Sequence, residues 1–360
     1  MSLISDLLRS KYTTARRLAG ITGKITSMGI VCGTVTKLMT KSCHVAIMER
    51  TRWDSFFRID ERVLQELQFW LNNLKDLNVR HLNVNHKYNR VVFSDASKSG
   101  CGGYVVDIRG SVCYRSWVEA ESSYSSTWRE CMGVITVLNS VSHLLKDQVV
   151  KWYSDNQGVI KIVENGSMKP DLQILALKIY QFCVKNHITL QMEWLPRNLN
   201  IQADQISKVI DYDDWSITKD FFKYIDSLWG KHTIDCFASF TNNKIDRFYS
   251  KYWTPGCSGV DGFAFGWHQD ICWLVPPPNL IAKTINKILS DKTKGTLVVP
   301  YWTSAAYWPL LVTHYGKFKA FIKHYILVER GSDILVSGTV KSIFGPQFKG
   351  SIYMLKIDAT

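Results

Sequence analysis

Residues 90–97, RVVFSDAS, decide how the middle of this chain folds. A β-branched and aromatic run that closes on an aspartate reads as a strand delivering its last side chain, Asp95, to the edge of a sheet. A second run of the same kind, KWYSDNQGVI (151–160), closes on Asp155. Between them, WRECMGVI (128–135) opens a helix that carries Glu130, and after both NIQADQIS (200–207) opens another that carries Asp204. An aspartate at a strand end is commonly a cap or turn residue. Four acids delivered by four separate elements are better explained by convergence on hard divalent cations, which take oxygen ligands and keep some water.

The elements around these acids follow in a fixed order. Three hairpin-linked strands (90–97, 100–108 and 111–118) precede a helix over 128–145. A strand over 149–155, a helix over 171–186, a strand over 188–195 and a helix over 201–210 complete the series. Such a series gives a mixed sheet with helices on its faces. The first helix sets Cys131, Val134, Ile135, Leu138, Val141 and Leu145 on one face, which leaves Glu130 at the rim. Gly100, Gly102 and Gly103 fit a tight hairpin with close backbone approach.

The four acids in this order, with SDAS before GCGGYVV, SDNQGVI, and the N-x-x-A-D segment in NLNIQADQIS, resemble the ribonuclease H family. The version most similar is the one fused to reverse transcriptases of retroelements, and the resemblance spans about residues 90–212. It implies a five-stranded mixed sheet with flanking helices. It also implies two Mg²⁺ ions held by Asp95, Glu130, Asp155 and Asp204, and hydrolysis of the RNA strand of an RNA–DNA hybrid to leave a 3′-hydroxyl and a 5′-phosphate. The hybrid would be recognised by backbone shape and 2′-hydroxyls. SDNQGVI corresponds to the family's fourth strand and following helix. Many cellular relatives place a catalytic histidine in the loop before the last acid. Here that loop reads Pro196-Arg197-Asn198, and no histidine occurs between His187 and His232.

Composition bounds the remainder. The chain has 360 residues, enough for two or three domains, and 46% hydrophobic content supports real cores. The N-terminus lacks the apolar core of a signal peptide, and no stretch has the length of a membrane span. The nine cysteines are scattered without a C-x-x-C pair, which excludes a zinc ribbon and suggests reduced thiols in an intracellular compartment, cytoplasm or nucleus. The net charge is +13, and residues 1–52 hold nine Lys/Arg against two acids. A polyanionic partner is the expected counterpart, because neutralising phosphates releases counterions.

Residues 1–88 read as a helical segment. DLLRSKYTTARRLAGITGKI (6–25) has apolar residues at helical spacing, and RVLQELQFWLNNLKDL (62–77) aligns Leu64, Leu67, Trp70, Leu71 and Leu74. The segment looks like the thumb and connection tail of a reverse transcriptase from DIRS-type retroelements. The polymerase palm is absent from this sequence and is expected upstream. Tyr212-Asp213-Asp214 lies after the nuclease acids without flanking strands and reads as a linker or cap.

Residues 213–360 carry strands closed by Asp235 and by VPPP (275–278), with helices between. That order predicts a parallel α/β sheet with a ligand site at the strand C-termini. The segment resembles phage-type N6-adenine DNA methyltransferases. The resemblance implies an S-adenosylmethionine and adenine pocket near Asp235, Asn243, Pro276 and Pro277, with residues 273–278 as the catalytic loop. Active members carry Asn or Asp before the two prolines, where this chain has Val275, so methyl transfer is not expected. Trp253, Trp267, Trp273, Trp302 and Trp308 are mostly core candidates, with one or two available to stack bases. Two other functions compete with the nuclease: a non-catalytic nucleic-acid-binding remnant, and an adenine methyltransferase.

Overall fold

The computed structural model describes residues 2–77, 87–337 and 342–360. The helical N-terminal segment contains α1 (Ser2–Ser10), β1 (Tyr12–Thr14), α2 (Ala15–Ser27), one-turn helices α3 (Gly29–Cys32) and α4 (Val35–Leu38), α5 (Lys41–Met48), β2 (Phe56–Arg58) and α6 (Glu61–Leu77). The single helix expected over 6–25 is broken. Lys11 takes a left-handed φ of 56°, and the β-branched pair Thr13–Thr14 then runs extended beside Phe56–Phe57. The Thr14 side chain restarts the helix by accepting the N–H of Arg17 at 3.2 Å, which satisfies a donor that a helix start leaves open. On α6, Leu67 and Trp70 are fully buried, and Leu64, Leu71 and Leu74 pack partly buried against the same core. Glu66 is buried on the same helix, and its carboxylate accepts the N–H groups of Ser42 (2.8 Å) and Cys43 (3.0 Å). An acidic side chain from α6 thus caps the positive end of α5.

The middle segment contains β3 (Arg90–Ala96), β4 (Gly100–Val105), β5 (Cys113–Ser116), one-turn α7 (Glu119–Ser122), α8 (Ser126–Ser140), one-turn α9 (Ser142–Leu145), β6 (Val149–Ser154), α10 (Gln157–Asn165), α11 (Pro170–Lys185), β7 (Thr189–Trp194) and α12 (Ile201–Ser207). Its five strands form one sheet in the order β5-β4-β3-β6-β7. β3 and β7 both run parallel to β6, and β4 is antiparallel to β5. This is the mixed sheet with flanking helices that the sequence predicts. Helix α10 is present where the family pattern places it, although the period-based reading of 149–186 passes over it. Asn156 starts it by accepting the N–H groups of Gly158 (2.9 Å) and Val159 (3.3 Å). Gly100, Gly102 and Gly103 lie within β4, not in a turn. A Cβ on Gly102 would overlap the Ile206 side chain of α12, so the residue is glycine because a helix packs directly on the strand.

The last segment contains β8 (Trp215–Ile217), α13 (Lys219–Trp229), β9 (Ile234–Asp235), β10 (Tyr249–Ser250), β11 (Gly259–Val260), β12 (Ile271–Leu274), α14 (Ile281–Ser290), β13 (Lys294–Pro300), α15 (Trp308–Leu311), β14 (Ile322–Val328), β15 (Leu335–Ser337) and β16 (Ile352–Asp358). The second five-stranded sheet has the order β14-β16-β13-β12-β9. β9 and β12, which run into Asp235 and VPPP, are parallel to each other as expected, and β13 is parallel to β12. The sheet as a whole is not parallel. β16 inserts antiparallel between β13 and β14, a pairing that needs no crossover helix. The stretch between β9 and β12 holds the short β10–β11 pair instead of an α-helix.

The chain divides into two compact units, residues 1–96, 123–138 and 142–204 in one, and 97–122, 139–141 and 205–360 in the other. Within the first, the N-terminal helices share a core with α11. Leu177 and Tyr180 pack against it, and Gln173 donates to the Leu38 carbonyl at 2.7 Å. Among the described residues no helix is long and apolar enough to cross a membrane. Trp70 sits at the centre of this core, and its indole N–H donates to the Met39 carbonyl at 2.7 Å. Trp70→Ala should lower the free energy of unfolding by about 3–5 kcal/mol in denaturant titrations, whereas a loss below about 1 kcal/mol would mean the N-terminal helices are packed independently of it.

Candidate metal centre

Two neighbouring parallel strands bring the first pair of acids together. β3 and β6 pair from Arg90↔Val150 to Phe93↔Tyr153, so Asp95 near the end of one and Asp155 just past the end of the other leave the sheet at the same edge. The buried indole of Trp152 donates to the Ser94 hydroxyl at 2.8 Å and locks that register one residue before Asp95. Glu130 is the fifth residue of α8, within its first turns and not at its opening. Its carboxylate accepts a backbone N–H from Ala96, beside Asp95. Ligand oxygens of Asp95, Glu130 and Asp155 all lie within 4.8 Å of one another.

This proximity is electrostatically expensive. Asp95 and Glu130 are each only 5% exposed. Burial, reinforced by the charges of Asp95 and Asp155, pushes the Glu130 carboxyl well above the usual carboxylate range. Burial also raises Asp155, which Arg197 opposes and Asp204 augments. An oxygen-only donor set of crowded carboxylates fits a hard divalent cation, whose charge would restore the ionised forms.

Asp204 enters from α12. Asn200, the first residue of the N-x-x-A-D segment, is almost completely buried and donates to the Ser94 carbonyl at 3.1 Å, which ties the start of α12 to β3. Asp204 lies outside the three-acid group, and its carboxylate is 2.6 Å from the Arg197 guanidinium. The indole of Trp194 donates to the Asp155 carbonyl at 3.0 Å. Asn200, Trp194 and Arg197 were legible only as neighbours of the acids. Their roles depend on contacts 39 and 106 residues apart in sequence for Trp194 and Asn200.

Of the residues expected to form a cofactor pocket, three are engaged in hydrogen bonds of the fold. Asp235 closes β9 and is buried. It accepts the N–H groups of Phe237 (3.4 Å) and Lys244 (3.1 Å), and burial raises its pKa to about 6. Asn243 donates to the Ile245 carbonyl, and the Pro276 carbonyl accepts the Trp215 indole N–H. Among the described residues, Pro277 alone of the four lines a cavity of about 460 Å³ beside Val275. Its other walls include Arg115, Asp214, Phe240 and Tyr252. Arg115 was not foreseen because it comes from β5, far away in sequence. Its guanidinium pairs with Glu121 at 2.6 Å and lies 4.5 Å over the Phe240 ring.

Residues 85–182 match the model of a family described as an RNase H-like domain found in reverse transcriptase. Among solved structures, the chain is similar to RNase H1 from the halophilic archaeon Halobacterium salinarum (17% identity, 32% of this chain and 92% of that one, TM-score 0.28). It is similar also to LC11-RNase H1 in complex with an RNA/DNA hybrid (17% identity, 33% and 93%, TM-score 0.27). A third similarity is to the prototype foamy virus protease-reverse transcriptase (13% identity, 44% and 22%, TM-score 0.24). No curated protein matches the chain.

The cavity acid Asp214 accepts from the Asn242 side-chain amide at 2.7 Å, and its pKa is raised from 3.8 to about 6, chiefly by burial and then by Asp211. The folded state therefore holds this proton more tightly than the unfolded chain. Its contribution to stability is full below the unfolded value of 3.8 and is lost as pH rises through about 6. Asp214→Asn should flatten the dependence of melting temperature on pH across that window, and an unchanged profile would assign the ionisation elsewhere.

Proposed function

We propose that the chain is a Mg²⁺-dependent endonuclease that cleaves the RNA strand of RNA–DNA hybrids, working in the context of a retroelement reverse transcriptase. The observation that carries this reading is the convergence of Asp95, Glu130 and Asp155 from two strands and a helix within 4.8 Å, in a segment that matches the reverse-transcriptase RNase H-like family. Asp95, Glu130, Asp155 and Asp204 are the proposed ligands. When bound, the metal ions would supply a water nucleophile at neutral pH and charge stabilisation at the leaving oxygen. The protein's own residues set the geometry. Trp152 and Ala96 fix Asp95 and Glu130, and Asn200 fixes the helix that presents Asp204.

The partner is a hybrid duplex read by shape. The excess of Lys/Arg in residues 1–52, which includes the exposed Lys11, Lys24 and Arg52, supports an extended phosphate track outside a nuclease segment of nearly balanced charge.

A labelled RNA–DNA hybrid should be cut in the RNA strand when Mg²⁺ is added and left intact with a chelator. Loss of an outer-shell partner of a metal ligand already costs 10–100-fold, so Asp95→Asn should reduce cleavage by at least roughly 100-fold. Binding of the hybrid without any metal-dependent cutting would instead favour a non-catalytic nucleic-acid-binding remnant.

A second reading concerns residues 213–360, which we infer to be a methyltransferase-like domain that transfers no methyl group. Its support is the parallel set β9, β12 and β13 and the cavity at the ends of β9 and β12. S-adenosylmethionine is the candidate ligand of that cavity. The position before the prolines is Val275, 4% exposed, whose side chain can accept no hydrogen bond from an adenine amino group. Incubation with S-adenosylmethionine and adenine-containing DNA should leave the DNA unmodified, with Val275→Asn as the attempt to restore activity. N6-methylation by the unaltered chain would make this domain a second active site.

A further inference from the structure

The acidic centre has a cation of its own. Arg197 lies in the 3-10 turn between β7 and α12, and its Nη2 is 2.6 Å from Oδ1 of Asp204. The Arg197 side chain is 68% exposed, while that of Asp204 is 18% exposed. The guanidinium charge also acts on Asp155 and Asp95. The acid it grips is the one that stands apart from the group formed by Asp95, Glu130 and Asp155.

We propose that Arg197 is a resident counter-cation of the metal centre, and that a divalent ion using Asp204 binds by displacing the guanidinium from that carboxylate. The inference rests on the four-acid metal centre proposed above and adds the step by which Asp204 becomes available to it. Three observations support the exchange. Without an ion, Asp204 raises the charge cost at Asp155, and Arg197 lowers it, so the pair relieves the repulsion that a metal would otherwise relieve. The long Arg197 side chain is largely in water, and it can swing away without leaving a buried unpaired charge. Exposed ion pairs are also weak and screened by salt, so a divalent ion can outcompete this one.

The test is Mn²⁺ titration of the full chain by calorimetry, without nucleic acid, for the native protein and Arg197→Gln, Arg197→Lys, Asp204→Asn and the Arg197→Gln/Asp204→Asn pair. Circular dichroism verifies that each variant is folded. From the usual strength of an exposed ion pair, Arg197→Gln should tighten Mn²⁺ binding by roughly 2- to 5-fold. Arg197→Lys should stay near the native affinity. In the Asp204→Asn background the Arg197→Gln change should tighten binding by much less, because the contested carboxylate is gone and only the longer-range action on Asp155 and Asp95 remains. Unchanged or weaker Mn²⁺ binding in Arg197→Gln overturns the proposal. Equal tightening in both backgrounds also overturns it, since that result describes a long-range charge effect and not competition for Asp204. Failure of the metal-centre reading has a separate signature: no Mn²⁺ binding by the native chain that Asp95→Asn abolishes.

Discussion

The centre depends on the parallel pairing of β3 with β6. Parallel neighbours end at the same edge, so the acids that close them, Asp95 and Asp155, leave the sheet side by side. The Trp152–Ser94 hydrogen bond holds that register from inside the sheet. A slip of one residue would turn every side chain of the strand to the opposite face. Everything else in the centre is referred to this pair: Glu130 is held by the amide next to Asp95, and α12 is tied to the carbonyl before it.

Bringing carboxylates together costs free energy, and the structure shows how that cost is distributed. Burial drives both Glu130 and Asp155 toward their protonated forms, aided at Glu130 by the charges of Asp95 and Asp155 and at Asp155 by that of Asp204. Arg197 offsets part of the charge from the solvent side. A similar economy of charge occurs in the N-terminal core, where buried Glu66 is accepted because it caps α5 through two backbone N–H groups. There two backbone N–H groups answer one acid, whereas at the acidic cluster three carboxylates are crowded within 4.8 Å of one another.

In the C-terminal α/β segment a cavity lies beside the parallel strands β9, β12 and β13, while Asp235 is engaged by backbone hydrogen bonds and Val275 presents only hydrocarbon. The polar lining of the cavity includes Asp214 and Arg115. Trp267 and Trp273 are fully buried, in keeping with a core role for these tryptophans.

The sequence by itself was sufficient for the mixed sheet of residues 90–212 and for the helix expected over 62–77, which runs Glu61–Leu77. Each of these is a local signal: a period of two or 3.6, or a short motif around one residue. It also showed that Val275 cannot accept a hydrogen bond, which is a property of the side chain alone. Tertiary structure decided what depends on distant partners. The break at Lys11, the antiparallel entry of β16, the glycine required beneath Ile206 and the cavity wall supplied by Arg115 all arise from packing between remote segments. The hold of Arg197 on Asp204 belongs with them, although the two residues are only seven apart. Their spacing is visible in the sequence, but the direction in which a turn aims a guanidinium is set by the strand and helix that the turn connects.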